Sequence, residues 1–300
     1  MKFISHKILV IEKNVKYVIL IYEIVGVSMK YILFNPLSSH GKSRKYLKKL
    51  GKILTKRNEE YEVVDVILTP FSQFQKELTE NDSLVVFGGD GTIHVLVNQI
   101  IEYNLKCRVF AYRAGTGNDF FRDYKEEIIE ITELIKTFPV IKYDNNKEKF
   151  INGVGSGIDA AVCSSHDSGG SYLKDAYRLF RNFKKFSVEL TMDDDKVVKF
   201  DDTWFVCVQH GCYFGGGMKL SPNSKRDDKI LEIVLVRKVK LPLLLMIFPL
   251  IFFGWHMAFK KVGIEVFKVS KVKVKTAYPL LQRDGEVYKG ASEFEVFFEE

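Results

Sequence analysis

The chain is poor in the residues that would mark several common functions. Its 300 residues include four cysteines, Cys107, Cys163, Cys207 and Cys212. None forms a C-x-x-C pair, and none joins histidines at zinc-ligand spacing. The expectation is therefore buried thiols in a reducing compartment, without a zinc centre. No secretory signal with a small-residue cleavage site is recognisable, which points to the cytoplasm. No low-complexity linker and no internal repeat interrupts the chain. No apolar run is comfortably long enough for a spanning helix, which needs about 20 mostly apolar residues. The best candidate, LPLLLMIFPLIFFGW at 241–255, is broken by Pro242 and Pro249. It reads as a core helix or a hydrophobic platform, short enough to leave shallow insertion into a bilayer open.

What is present is ordinary globular material, 46% hydrophobic and 28% charged, which excludes a disordered chain. The net charge of +7 favours acidic partners: nucleotide phosphates, an anionic membrane surface or nucleic acid. Nucleic acid needs a recognition motif beside the charge, and none is found. Residues 1–28 are rich in aliphatic side chains but interrupted by Glu12, Lys13, Lys16 and Glu23. A clear strand begins only after Met29. The expectation is that Met29 is the true start and that 1–28 is an upstream extension or poorly ordered segment. A membrane-surface anchor is the rival.

From residue 29 to 141 apolar runs alternate with helical spacing. YILF, YEVVDVIL, SLVVF and CRVFAY read as strands; GKSRKYLKKLGKILTK, FSQFQKEL and TIHVLVNQIIEY read as helices. Such alternation implies an α/β domain with a parallel sheet and flanking helices. Ligands bind at the C-terminal ends of the strands in such sheets. The loops there are NPLSSHGKS, Thr69-Pro70, GGDGT and RAGTGND, all small, polar or glycine-rich. From 142 to 300 strand-like stretches dominate, among them FSVELTM, KVVKF, TWFVCVQ, ILEIVLV, FKVSKVKVKT and FEVFFE. They imply a mainly antiparallel β-sandwich domain. MDDDK reads as a hairpin turn. In VSKVKVKT, Val272 and Val274 fall on one face and the lysines on the other, a solvated face or a protected edge. The SYLKDAYRLFRNF helix pattern carries Arg178, Arg181, Lys184 and Lys185, a solvated face by default and a membrane contact as the alternative.

The most informative motif is Gly-Gly-Asp-Gly-Thr at 88–92, between a buried strand and a helix. Glycine permits close backbone approach to a ligand, and helix N-terminal amides favour anions. One carboxylate among such amides suits Mg²⁺ and a nucleotide. A plain strand-to-helix turn explains the same residues without function. A P-loop is the tempting alternative at PLSSHGKS, but Pro36 stands where its first glycine is required.

Six further motifs follow in order with it: NPLSSHGKS at 35–43, GTGND at 115–119, INGVGSGIDA at 151–160, YFGGGMKLSP at 213–222, SKRDDKILEIV at 224–234 and DGE at 284–286. Together they resemble the diacylglycerol kinase catalytic family, specifically the soluble bacterial lipid kinases, from about residue 30 to the C-terminus. Sphingosine kinases share that core. GGDGT alone also occurs in NAD kinases, more distant relatives, and in phosphofructokinases.

The resemblance implies an ATP-dependent lipid kinase, transferring the γ-phosphoryl group to the hydroxyl of diacylglycerol or a related lipid. It implies ATP contacts at Asn35, Pro36, Leu37, Ser38, Ser39, Thr69, Gly88, Gly89, Asp90, Gly91, Thr92, Ile93, His94, Thr116 and Asn118. Asp90 would organise Mg²⁺-ATP, and Glu286 would be the general base on the lipid hydroxyl. Asp284 would help hold the metal or orient that base; placed in one strand, it and Glu286 would face the same side. A structural Mg²⁺ would sit on Asp228 and the main-chain carbonyls of Lys225 and Ile230. The implied partners are ATP, the lipid acceptor and an anionic membrane surface reached peripherally, with a homodimer left open. Another acceptor, NAD or a polyprenol, is the alternative enzyme, and a non-catalytic lipid- or nucleotide-binding protein the alternative class. The chain departs from the family pattern at Ser39 and Lys229, where glycine is usual, at Arg113, where proline is common, and at His94 and His210, where asparagine is.

Overall fold

A computed structural model describes residues 6–12, 15–21, 28–36, 43–114, 118–166, 178–193 and 195–299. The strands His6–Glu12 (β1) and Val15–Ile21 (β2) pair as an antiparallel hairpin, with His6 opposite Ile21. Among the described residues this hairpin shares no ladder with the two larger sheets.

The first large sheet contains Lys30–Phe34 (β3), Tyr61–Asp65 (β4), Ser83–Gly88 (β5), Arg108–Arg113 (β6) and Ile128–Glu130 (β7). Its order is β4-β3-β5-β6-β7. The first four strands run parallel and β7 closes the edge antiparallel. Successive side chains point to opposite faces, so the apolar runs supply two cores at once. Ile32, Phe34, Val85 and Phe87 pack with Leu50 and Leu54 of the helix Ser43–Lys56 (α1). Leu33, Leu84 and Val86 pack on the other face with Phe71 and Phe74 of the short helix Phe71–Phe74 (α2) and with Ile93, Leu96, Val97 and Ile100 of the helix Asp90–Glu102 (α3). The expected strands and crossover helices are all present. The antiparallel β7 was not foreseen, because three residues carry too little periodicity to read.

The second sheet has eleven strands: Val140–Tyr143 (β8), Asn146–Lys149 (β9), Gly153–Gly157 (β10), Phe186–Met192 (β11), Lys196–Gln209 (β12), Leu231–Arg237 (β13), Ile264–Val269 (β14), Lys271–Thr276 (β15), Leu280–Arg283 (β16), Glu286–Lys289 (β17) and Glu293–Phe297 (β18). Every pairing in it is antiparallel. KVVKF and TWFVCVQ form one strand, β12, running through Asp201 and Asp202. Its first half pairs β11; beyond a register shift at Thr203/Phe205 its second half lies between β10 and β13. A bulge bends a strand, and here one strand changes partners along its length, from β11 to β10 and β13. FKVSKVKVKT divides at Ser270 into β14 and β15. Val272 and Val274 are buried, as expected, and β15 lies between β11 and β18, so it is no edge. Its lysines pair across strands, Lys271 with Glu295 at 2.8 Å and Lys273 with Glu293 at 2.6 Å.

The 241–255 platform is not one helix. Leu241–Ile247 is α-helical, and tighter turns follow at Phe248–Phe253 and Trp255–Val262. Among the described residues no helix is long and apolar enough to cross a membrane. None of the four cysteines is in a disulfide, and Cys107 and Cys207 are buried.

Candidate active site

The GGDGT turn joins β5 to α3. Gly88 closes the strand, Gly89 caps the helix and Asp90 is its first residue. The Asp90 side chain turns across the sheet edge, where its carboxylate accepts the amides of Asp119 at 2.8 Å and Phe120 at 3.0 Å. A Cβ on Gly89 would stand 3.3 Å from the Asn118 side-chain oxygen, so this turn and the 118–120 segment are packed together. Burial and the neighbouring Asp119 charge push the Asp90 carboxyl up to about 7, against the pull of those two amides. A carboxylate held so reluctantly in its charged form is one that a bound cation would relieve.

The DGE motif is a two-residue hairpin turn between β16 and β17. Asp284 (φ 48°) and Gly285 (φ 95°) both take positive φ, with Arg283 opposite Glu286, the backbone that Asp-Gly favours in tight hairpins. This corrects the expectation that Asp284 and Glu286 share a strand face: one residue is in the turn and the other begins β17. Asp284 points inward, its side chain fully buried. It accepts the amides of Ile151 at 2.7 Å, Asn152 at 2.8 Å and Gly153 at 3.1 Å, and the His94 ring at 2.9 Å. Glu286 stays exposed and reaches the other way. Its Oε1 lies 3.6 Å from where a Gly91 Cβ would be. Glu286, from a distant part of the chain, therefore lies beside the GGDGT turn.

His94, one turn into α3, has a second carboxylate partner in Glu148, at 3.4 Å. Burial disfavours its charged ring, but the bonds and charges of Asp284 and Glu148 outweigh that and lift its pKa to about 9. Burial likewise opposes the Glu148 carboxylate, yet His94 and Arg283 hold it down to about 2. Glu148 also meets Arg283 and accepts the Tyr143 hydroxyl at 2.9 Å. The residue departing from the usual asparagine is thus the cation of a buried network joining α3, β9 and the DGE turn.

The glycine run at 215–217 docks on the first domain. The Gly216 amide donates to Asp119 Oδ2 at 2.7 Å. A Cβ on Gly217 (φ 103°) would lie 2.8 Å from the Arg122 guanidinium. In SKRDDK the buried charge is Arg226, which bonds Asp123 at 2.7 Å, Asn152 at 2.8 Å and the Ile151 carbonyl. Asp228 is exposed and accepts the Ile230 amide at 3.0 Å, with Lys225 exposed nearby. Among the described residues no three His, Cys, Asp or Glu side chains cluster as metal ligands. Lys229 takes φ 49°, the backbone that explains why glycine is usual there. His210 is fully buried, edge-on to Phe138 and Phe298. Burial and then Arg226 push its pKa down to about 3, so it is a neutral core ring. Arg113 is exposed at the end of β6.

Asn35 and Pro36 follow β3, and the Pro36 carbonyl accepts the Ser43 hydroxyl at 3.2 Å. Thr69 is half-buried beyond β4, its amide on the Asp65 carbonyl at 2.8 Å. Thr92 and Ile93 lie in the first turn of α3. Leu37, Ser38, Ser39 and Thr116 lie outside the described residues.

An apolar cavity of 60 Å³ opens in the second domain, lined by Ile158, Val162, Phe205, Phe214, Val236 and Ile247, with two polar residues, Asp159 and His256, in its wall. Asp159 is the second residue of the helix Ile158–His166 (α4), directly after β10. Burial pushes its carboxyl up to about 7. Gln282, on the neighbouring β16, accepts the Gly285 amide at 3.2 Å. Sequence reasoning missed Asp159, Glu148 and Arg226. Asp159 had a legible signal, a carboxylate in the first turn of an otherwise apolar helix. Glu148 and Arg226 had none, being single charges in charged stretches.

Known proteins resemble this chain over both domains. Residues 30–144 match the diacylglycerol kinase catalytic domain, and residues 152–295 match the YegS C-terminal NAD kinase beta sandwich-like domain. A Bacillus subtilis protein named "Putative lipid kinase YtlR" is 26% identical over 294 residues, 86% of this chain and 93% of that protein. A Staphylococcus epidermidis "Putative lipid kinase" is 28% identical over 167 residues, 49% of this chain and 52% of that protein. A solved structure titled as a putative diacylglycerol kinase from Bacillus anthracis shares the fold, with TM-score 0.66, 21% identity, and coverage of 91% of this chain and 93% of that one. With an α/β domain of parallel core strands, an antiparallel β-rich domain, and both family domains matched in order over residues 30–144 and 152–295, the chain belongs to the diacylglycerol kinase catalytic family.

Proposed function

We propose that this chain transfers the γ-phosphoryl group of ATP to the hydroxyl of diacylglycerol or a closely related lipid, in the cleft between GGDGT and DGE. The observation that carries the proposal is the approach of Glu286 to Gly91. Phosphoryl transfer depends mainly on positioning and charge neutralisation. Asn35 to Ser39, Thr69, the 88–94 turn, Thr116 and Asn118 offer small groups and amides to the nucleotide. Asp90 is the carboxylate suited to hold Mg²⁺, which when bound supplies charge neutralisation on the triphosphate. Glu286 takes the proton of the lipid hydroxyl as its oxygen bonds to phosphorus and ADP leaves. Asp284, with its oxygens committed to three amides and His94, acts as a positioning residue for Glu286 rather than a metal ligand. Asp228, with the carbonyls of Lys225 and Ile230, is the proposed second, structural Mg²⁺ site.

The apolar cavity supports a lipid over NAD, since its lining offers almost nothing to a dinucleotide. Asp159 stands at its polar wall, suited to a hydroxylated headgroup. Lipids incubated with the protein and Mg²⁺-ATP should gain one phosphate by mass spectrometry. Asp90→Ala and Glu286→Gln should each lower turnover about 10²–10⁴-fold with unchanged circular dichroism. Full phosphorylation by either variant rejects its assigned role; phosphorylation of NAD alone rejects the lipid acceptor.

A further inference from the structure

The 241–262 segment does two things at once. Its inner side chains, Leu244, Ile247 and Ile251, line the cavity. Its outer side chains are left in water: Met246 is 56% exposed, Phe253 64% and Trp255 64%. Large apolar side chains so exposed and so close together mark an interaction surface. They are held there by the backbone. Gly254 takes φ 73°, and the turn sets the Phe253 and Trp255 rings side by side, 5.1 Å between centroids and 30° apart. Trp at a boundary between apolar and wet surroundings is characteristic of membrane interfaces.

The charge along this segment has one sign. No acidic residue occurs between Glu232 and Glu265, while Lys240, Lys260 and Lys261 are exposed at its ends. On another side, Phe180 packs against Phe248 at 5.3 Å, bringing the exposed Arg178 and Arg181 alongside. Exposed aromatic and sulfur-bearing side chains ringed by cations fit an anionic bilayer, with apolar groups at the acyl boundary and cations on the headgroups.

We propose that Met246, Phe253 and Trp255 form the surface by which this protein sits on an anionic membrane, placing the cavity behind them against the lipid. The biological purpose of this surface rests on the lipid-kinase reading above; its test does not. The chain has two tryptophans, and Trp204 is buried with its ring N–H on the Val239 carbonyl at 2.9 Å. A change in tryptophan emission on adding vesicles therefore reports Trp255.

The experiment uses the full chain and vesicles of phosphatidylcholine containing about 30 mol% phosphatidylglycerol. Emission should shift to the blue and be quenched by acyl-brominated lipid, and Trp255→Phe should abolish both changes. Phe253→Ser/Trp255→Ser should weaken co-sedimentation with vesicles about tenfold or more, with retained Trp204 emission and circular dichroism showing that the fold is intact. Arg181→Glu/Lys260→Glu/Lys261→Glu should weaken binding to anionic vesicles and leave binding to pure phosphatidylcholine unchanged. Absence of blue shift and quenching overturns the proposal. So does unchanged vesicle binding by the double serine variant, or a change in its self-association by sedimentation equilibrium without a change in vesicle binding. A detergent-dispersed short-chain diacylglycerol separates the two readings. If wild type binds vesicles but never phosphorylates that lipid, the kinase reading fails and the surface stands.

Discussion

His94 shows how much one substituted residue can reorganise. Where asparagine is usual, this chain places a side chain that becomes a buried cation between Asp284 and Glu148. Its pKa is raised from 6.5 to about 9. The stabilisation from that pairing is fully present below pH 6.5 and is lost as pH rises through about 9. A shift of this size corresponds to about 3 kcal/mol, shared between the two partners, Asp284 and Glu148. Thermal melts should therefore show an alkaline decline between about pH 7 and 9.5 that His94→Asn removes, while lowering stability near pH 7 by about 2–3 kcal/mol. An identical pH dependence in the variant would show that the ring is neutral. The oddity of this position was legible in the sequence, but the role was not. The partners Asp284 and Glu148 lie 190 and 54 residues away (the former by direct separation, the latter from 94 to 148), and no local pattern announces them.

At the scale of elements, short-range rules carried far. Period-two alternation placed Val272 and Val274 in the core, because a pleated strand cannot turn successive side chains to one face. The parallel strands of the first sheet were readable because each is a compact apolar run between turn signals. The rules failed where an element bends or is interrupted. β12 continues past two unpaired aspartates because β11 pairs it on either side of them, at Phe200 and Thr203, and β13 takes up pairing from Thr203, a tertiary circumstance. The 241–262 segment breaks into short turns at Gly254, where positive φ suits glycine. A Cβ at that position would also lie 2.7 Å from Pro222 Cγ. Gly254→Ala should lower stability by about 1–2 kcal/mol, measured as a fall in melting temperature. An unchanged melt would mean that the turn relaxes freely.

The whole molecule is held together by polar residues that bridge its two sheets. Arg226 is the clearest, 8% exposed and bonded to Asp123 on one side and to Ile151 and Asn152 on the other. Removing one partner of a buried charge pair strands the other, at about 3–5 kcal/mol. Arg226→Ala should lose that much in urea unfolding. It should also slow phosphorylation, because Asn152 and Ile151 support Asp284 and through it the DGE turn. Stability within 1 kcal/mol of wild type, about the effect of an ordinary substitution, would show that the bridge is not structural. What the sequence by itself determined was local: strand and helix periods, an Asp-Gly turn, a glycine-rich helix start, and the motif order that names the family. Those follow from backbone sterics and side-chain spacing, which act over a few residues. Only the tertiary structure decided which carboxylate of DGE turns inward to the amides and which reaches over Gly91, and which basic residue is buried. Such choices depend on partners brought together by the sheets, and a chain read in one dimension does not contain those distances.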